Sequence, residues 1–228
     1  MPPTTEEREV RPATRREGDE EKPLGPKAAR TRAQILNAAQ SAFIELGYQR
    51  TTVGEVAARA GISLGAVYQY FRDRGDLMGA LVTTSVGQMQ HRDDPTWRVE
   101  EGHAGLWRVL HGFVVHYMSI APMAALWEEV THVDPDMAAL RRRYGHAFTG
   151  AVEAELRRAA ACGLLDHDLD AALTAVALTG MVDRYCYVTY IFDPPTVLPT
   201  AEASADVLTA LWAKAVGLTS TPSEASAR

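Results

Sequence analysis

The sequence holds little of what a catalyst, a secreted protein or a membrane protein needs. Two cysteines occur in 228 residues, Cys162 and Cys186. They fit no metal-ligand spacing and are too few for a secreted disulfide framework. They read as structural thiols in a reducing cytoplasm, with a redox pair as the alternative. No apolar run approaches the ~20 residues of a membrane span. The N-terminus lacks the basic-then-apolar form of a secretion signal. The seven histidines include no i, i+4 pair of the kind that forms a metal-binding helix, and His111 and His116, five apart, diverge on a helix. There is no glycine-rich phosphate loop and no strained turn that would present a nucleophile. The expectation is therefore a cytoplasmic protein with no metal, no cofactor, no catalytic residues and no membrane partner. No stretch reads as a β-strand, and there is no internal repeat.

What is present is helical patterning throughout a chain that is 46% hydrophobic, enough for a sizeable core. Residues 1–26 are rich in Pro, Glu, Arg and Thr and are expected to be a disordered tail. From Lys27 to Leu46, Ile35, Leu36, Ala39, Phe43 and Leu46 recur at helical spacing, and Gly47 is the stop. Thr52 and Glu55 have the form of a capping box opening a second helix. Gly61 suits a left-handed stop, and Ser63 is a good N-cap for a third helix with Val67 and Phe71 facing inward. Leu64, Gly65, Tyr68 and Tyr70 are left outside. Short helices joined by a four-residue turn holding glycine make a helix-turn-helix, although on spacing alone any helical hairpin would do. Asp73 is the expected cap of a fourth helix, from about Gly75 to His91.

The stretch from Arg92 to Gly105 reads as a loop and domain boundary. The body after it reads as wholly helical. Helices are expected over Leu106–Ile120, from Pro122 past Val130, and from the Asp134 cap to about Cys162. The next is capped by Asp166 or Asp168 and runs to about Phe192, and the last runs from Ala201 to Val216. Residues 218–228 read as a loose tail. This gives a helix-turn-helix unit at 27–88 and a larger unit at 89–217.

Charge is divided in the same way. From Lys27 to Gly75 seven cations face three anions, a net +4, against −6 for the whole chain. A basic end on an acidic body is expected if only that end meets phosphate. Lys27, Arg30 and Arg32 gather at a helix N-terminus, where cations are unfavourable unless an anion compensates.

The run Gly61 to Phe71 has the form GIS-x-G-x-V-Y-x-Y-F and is followed by a basic residue and Leu77. With Ile35, Ala38, Ala39, Phe43, Gly47, Tyr48, Thr51, Thr52 and Val53 it resembles the DNA-binding domain of the tetracycline-repressor (TetR/AcrR-type) family. The resemblance covers about Lys27 to Leu81. It implies an all-α fold: an N-terminal three-helix helix-turn-helix domain and a larger helical ligand-binding and dimerisation domain. It also implies a ligand-responsive repressor that binds double-stranded operator DNA as a homodimer and is released by a small-molecule inducer. The alternative is an α-helical carrier or enzyme.

Carried onto this sequence, the resemblance gives Thr52 a phosphate contact and places Ser63, Leu64, Gly65 and Ala66 at the base-facing end. Tyr68, Tyr70 and Arg74 match phosphate-contacting positions, with Tyr70 where histidine is frequent and Arg74 where lysine is usual. Gly75 replaces a common acidic residue. With so apolar a tip, direct hydrogen-bond readout is expected to be sparse, and specificity to rest on methyl contacts and DNA shape. The dimer contact is expected on the helices Asp168–Phe192 and Ala201–Val216, with Ala175→Arg or Gly180→Arg blocking it; a central helix of a monomer is the alternative. Trp107, Phe113, Tyr117, Trp127, Tyr144, Phe148, Met181 and Tyr185 are the candidate lining of a pocket for a mainly apolar inducer.

Overall fold

Six of the nine helix starts among the described residues are set by a short polar side chain. A computed structural model describes residues 25–92, 97–165 and 169–218. The two expected tails lie outside the described residues apart from Gly25, Pro26 and Leu218, as do Asp93, Asp94, Pro95, Asp166 and Asp168. Among the described residues there are nine α-helices and no strand.

The first is α1, Pro26–Leu46. Thr52 Oγ1 accepts from the Glu55 N–H and opens α2, Val53–Ala60; Ser63 Oγ accepts from the Ala66 N–H and opens α3, Leu64–Tyr68. Gly61 at φ 66° makes the left-handed link between them, a conformation in which a Cβ would be strained. Asp73 Oδ1 accepts from the Asp76 N–H at the head of α4, Arg74–Arg92. The body continues with α5 (Gly102–Ser119), α6 (Ala121–Thr131), α7 (Pro135–Ala161), α8 (Ala171–Tyr187) and α9 (Ala201–Ala215). A wider helical turn, Val188–Phe192, extends α8. Asp134 caps α7 as the sequence suggests, and Thr200 caps α9.

Three expectations are corrected. The cap of α8 is Asp170, whose carboxylate accepts from the Leu173 N–H at 3.0 Å. Starting there, the helix turns Ala175, Leu178, Val182 and Cys186 onto the core. Of the segment expected to be a loop up to Gly105, the described residues 97–105 are anchored and largely helical. Trp97 and Val99 are buried, a short 3-10 turn covers Val99–Glu101, and α5 begins at Gly102. The anchor is Glu155 on α7, which accepts from the Val99 N–H at 2.8 Å and from Arg98 at 2.9 Å. The Thr52–Glu55 capping box is half made, because the Glu55 carboxylate turns to Arg59 at 2.8 Å.

The buried residues form two clusters. One joins Ile35, Phe43, Val56, Val67 and Leu77 of α1–α4 to Met123, Val130, Met137 and Leu140 of α6 and α7. The other lies inside the body, around Leu110, Val114, Leu156, Val182, Leu208 and Trp212. The N-terminal unit thus shares its core with the first body helices, so a displacement of α6 or α7 is felt directly in its packing.

Candidate nucleic-acid interface

The N-terminal unit presents a short helix on a rigid base. Val67 is fully buried and Phe71 nearly so, and they fix the inner side of α3. Leu64, Gly65, Tyr68 and Gln69 are exposed on the other side; Ser63 and Thr52 are exposed as caps, and Ala66 is half-buried. Thr51 is buried, and its hydroxyl donates to the Gly47 carbonyl at 2.8 Å. Gln34 Nε2 donates to the Ala60 carbonyl at the end of α2 at 2.6 Å. Arg59 is held between Glu45 and Glu55. These bonds hold α1 and α2 together and leave α3 to project.

The expected phosphate ligands do not all stand alike. Lys27, Arg30, Thr52 and Tyr68 are exposed. Tyr70 is half-buried and packs against the unit's core, and Arg32 lies over the Phe71 ring, 5.4 Å from its centroid. Arg74 is held within the protein: its guanidinium donates to the Gln49 carbonyl at 2.9 Å and side-chain oxygen at 3.0 Å, and sits 4.7 Å from the Tyr48 ring centroid.

That Arg74–Tyr48 stack leads to a joint that sequence reading missed. The Tyr48 hydroxyl donates to Asp134 Oδ2 at 2.7 Å, while Asp134 Oδ1 accepts from the Asp136 and Met137 N–H groups. One carboxylate therefore caps α7 and holds the turn between α1 and α2. Burial and the hydrogen bond to Asp134 push the Tyr48 hydroxyl up to about 12. Burial pushes the Asp134 carboxyl up, but the Tyr48 hydroxyl and the Met137 and Asp136 N–H groups outweigh it and hold the group below the usual aspartate range. Gly75 leaves the room: a Cβ there would lie 3.2 Å from Asp73 Oδ1, 3.5 Å from Tyr48 Oη and 3.7 Å from Asp134 Oδ2. No signal in the sequence links positions 86 residues apart.

A model of bacterial regulatory proteins of the tetR family matches residues 35–81, which are α1 from Ile35, α2, α3 and the start of α4. The chain carries a tetR-family DNA-binding domain. Like its relatives in that family, it is a DNA-binding transcriptional regulator and not an enzyme. It is 29% identical over 168 residues to the transcriptional regulator TtgR of Pseudomonas putida, covering 68% of this chain and 78% of that one. It is 35% identical over 66 residues to the regulator AcrR of Shigella flexneri, 28% of this chain and 31% of that one. The fold is that of MexZ, a key repressor responsible for antibiotic resistance in Pseudomonas aeruginosa, with TM-score 0.65, 22% identity and coverage of 85% and 96%. It is also that of SmeT, the repressor of the Stenotrophomonas maltophilia multidrug efflux pump SmeDEF, with TM-score 0.64, 22% identity and coverage of 81% and 89%.

The helical body divides the candidate inducer contacts into three groups. Trp107 lies apart, on the outer edge between α5 and α9, stacked on His111 with its Nε1 donating to Asp206 at 2.8 Å. Trp127 and Tyr144 meet edge to face at 6.3 Å beside the shared core. Phe113 contacts Tyr117 and stacks on Phe148 at 5.9 Å; Met181 and Tyr185 pack on the same inner cluster, where the Tyr185 hydroxyl donates to Ser204 at 2.9 Å. Between the second and third groups runs a charged bridge whose Glu128 and Arg141 no sequence pattern singles out. The Arg141 guanidinium pairs with Glu128 of α6 and Asp183 of α8 and lies 5.9 Å from the Trp127 ring centroid. Partial burial pushes the Asp183 carboxyl above the usual aspartate range, with Arg141 opposing and Glu128 adding to the rise. The Trp127 Nε1 is buried without a hydrogen-bond partner among the described residues.

Proposed function

We propose that the chain is a dimeric repressor that occupies operator DNA and is released by a small, mainly apolar inducer. The observation that carries this reading is the position of α7. It bears the candidate ligand contacts Tyr144 and Phe148 together with the bridging Arg141, and it is fastened to the DNA-binding unit twice. One fastening is the Tyr48–Asp134 bond; the other is the Tyr144 hydroxyl donating to Thr83 Oγ1 of α4 at 3.1 Å. A ligand that shifts α7 biases the reading helices between two conformers, and it acts only through its difference in affinity for them. Lys27, Thr52, Tyr68 and Tyr70 are assigned to phosphate, and the α3 tip from Ser63 to Ala66 to base edges. The functional division between 27–88 and 89–217 is kept even though the core crosses it.

The inducer is assigned by inventory. Aromatic faces and a methionine surround few polar groups, which suits an apolar molecule with one or two hydrogen bonds. Glu128, Arg141 and Asp183 sum to one negative charge, which favours a lipophilic cation. SmeT, which shares the fold, represses a multidrug efflux pump; an efflux role here would supply such ligands.

The test is a mobility shift with the DNA flanking the chain's own gene, repeated with aromatic cations, neutral apolar compounds and polar anionic metabolites. Retarded DNA that an apolar compound releases is expected. No shift with any flanking DNA would favour the carrier reading. Release by a polar anion alone would remove the pocket assignment.

A further inference from the structure

The tip of α3 is apolar at Leu64, Gly65 and Ala66, which leaves open what reads a base by hydrogen bonding. We propose that Gln69 is the base-reading amide of this repressor and that it recognises adenine in the major groove. At about 100° per residue, Gly65 and Gln69 each lie about 160° from the buried Val67, at the centre of the outward face. Leu64 and Tyr68 form one flank of that face. Gln69 is exposed, and its helical backbone (φ −69°, ψ −23°) continues the turn. Its amide has no hydrogen-bond partner among the described residues. The other glutamines of the unit that could serve are engaged: Gln34 on the Ala60 carbonyl and Gln49 on Arg74.

Gly65 completes the geometry. A helical side chain leans toward the N-terminus and covers the turn before its own Cα. Gln69 therefore leaves the helix on the same side as Gly65, one turn away. Nothing stands within 4 Å of where a Gly65 Cβ would be. The helix is thus bare where a base-pair edge must approach, with one free amide on the same side. A glutamine amide donates to adenine N7 and accepts from adenine N6, a bidentate match that no other base edge offers. Leu64 is placed beside it for contact with a thymine methyl.

The inference rests on operator binding, and the experiment separates the two. Duplexes selected from a random pool by the wild type are compared with those selected by Gln69→Ala and Gln69→Glu. The side chain is exposed and unpartnered, so neither change should disturb folding. The wild type is expected to require an A·T pair at one position of each half-site. In Gln69→Ala that requirement falls by roughly ten- to a hundredfold while the rest of the site and the salt dependence stay the same. In Gln69→Glu the preference moves to cytosine, whose N4 donates to a carboxylate. If Gln69→Ala selects the wild-type site unchanged, the inference fails alone. If it loses affinity equally for all sequences with a shallower salt dependence, Gln69 is a phosphate contact and the inference also fails. If the wild type selects no sequence, both this inference and the operator-binding reading fall.

Discussion

Glu155 is the residue on which the body's first segment hangs. Its side chain is 6% exposed and binds Arg98, Arg158 and the Val99 N–H. Burial pushes its carboxyl up, but Arg158, the Val99 N–H and Arg98 outweigh it and bring the group down to about 2. The folded form is thus the better acid. Its stabilisation is complete above the ordinary value of 4.5 and is lost as pH falls from there through about 2. Glu155→Gln is expected to cost on the order of 2–3 kcal/mol at pH 7, a buried pair partly screened at its exposed arginines. Urea unfolding at pH 7 and pH 3 should show the gap between wild type and variant shrinking in acid; an equal gap at both would discount the ion pair. Arg74 presents a similar choice between inside and outside. Because its guanidinium already holds Gln49 and Tyr48, Arg74→Ala is expected to weaken DNA binding while leaving the salt dependence of log K nearly unchanged. A slope shallower by about one would return Arg74 to the phosphate contacts.

At the scale of the element, α8 faces two ways. Ala175, Leu178, Val182 and Cys186 are buried, and the Cys186 thiol is pushed up to about 12 by burial and by Asp183. On the opposite side Leu173 is 68% and Val176 60% exposed, and Ala177 and Gly180 are exposed on the same face. On α9, Val207 and Leu211 are about half exposed. These apolar groups motivate the dimer proposal. They also separate two substitutions that looked equivalent in sequence. Ala175 has no exposed surface, so Ala175→Arg buries a charge in the monomer's own core and should give unfolded protein. Gly180 has open space about its Cα, so Gly180→Arg should fold, keep its helical circular dichroism and sediment as a monomer. A folded Gly180→Arg that sediments as a dimer would move the interface elsewhere. The other informative element is α7. Tyr48→Phe keeps the ring under Arg74 and removes only the bond to Asp134, which should cost about 1 kcal/mol of stability. DNA affinity should persist, while more inducer is needed for release. Unchanged inducer sensitivity would leave α4 to carry the coupling alone.

For the whole molecule, a basic N-terminal unit sits on an acidic body, and the two share one core. The proposed release by an inducer then requires reciprocity: whatever factor the inducer takes from operator affinity, operator takes from inducer affinity. Titrating an aromatic cation by calorimetry into the free protein and into the operator complex checks this. The expected result is weaker binding in the complex, and weaker binding to Asp183→Asn and Glu128→Gln than to the wild type. Equal affinities with and without operator would sink the proposed coupling.

The sequence by itself determined the helices and the kind of DNA-binding unit, because those signals are local. A cap acts on N–H groups two or three residues away, a left-handed glycine acts at its own φ, and an apolar stripe repeats every three or four residues. Thr52, Gly61, Ser63, Val67 and Phe71 could all be placed on those grounds. Tertiary structure decided whatever depends on which residues meet across the fold. It chose Asp170 to cap α8, since that start turns the right face inward. It drew Trp97 and Val99 into the core through Glu155. It took Arg74 toward Gln49, removed Trp107 from the aromatic group and set Arg141 between two acids from different helices. It also joined Tyr48 to Asp134 beside Gly75, across 86 residues of sequence. Contacts between distant positions follow from the geometry of packed helices, and helical periodicity says which face is apolar without saying what that face will meet.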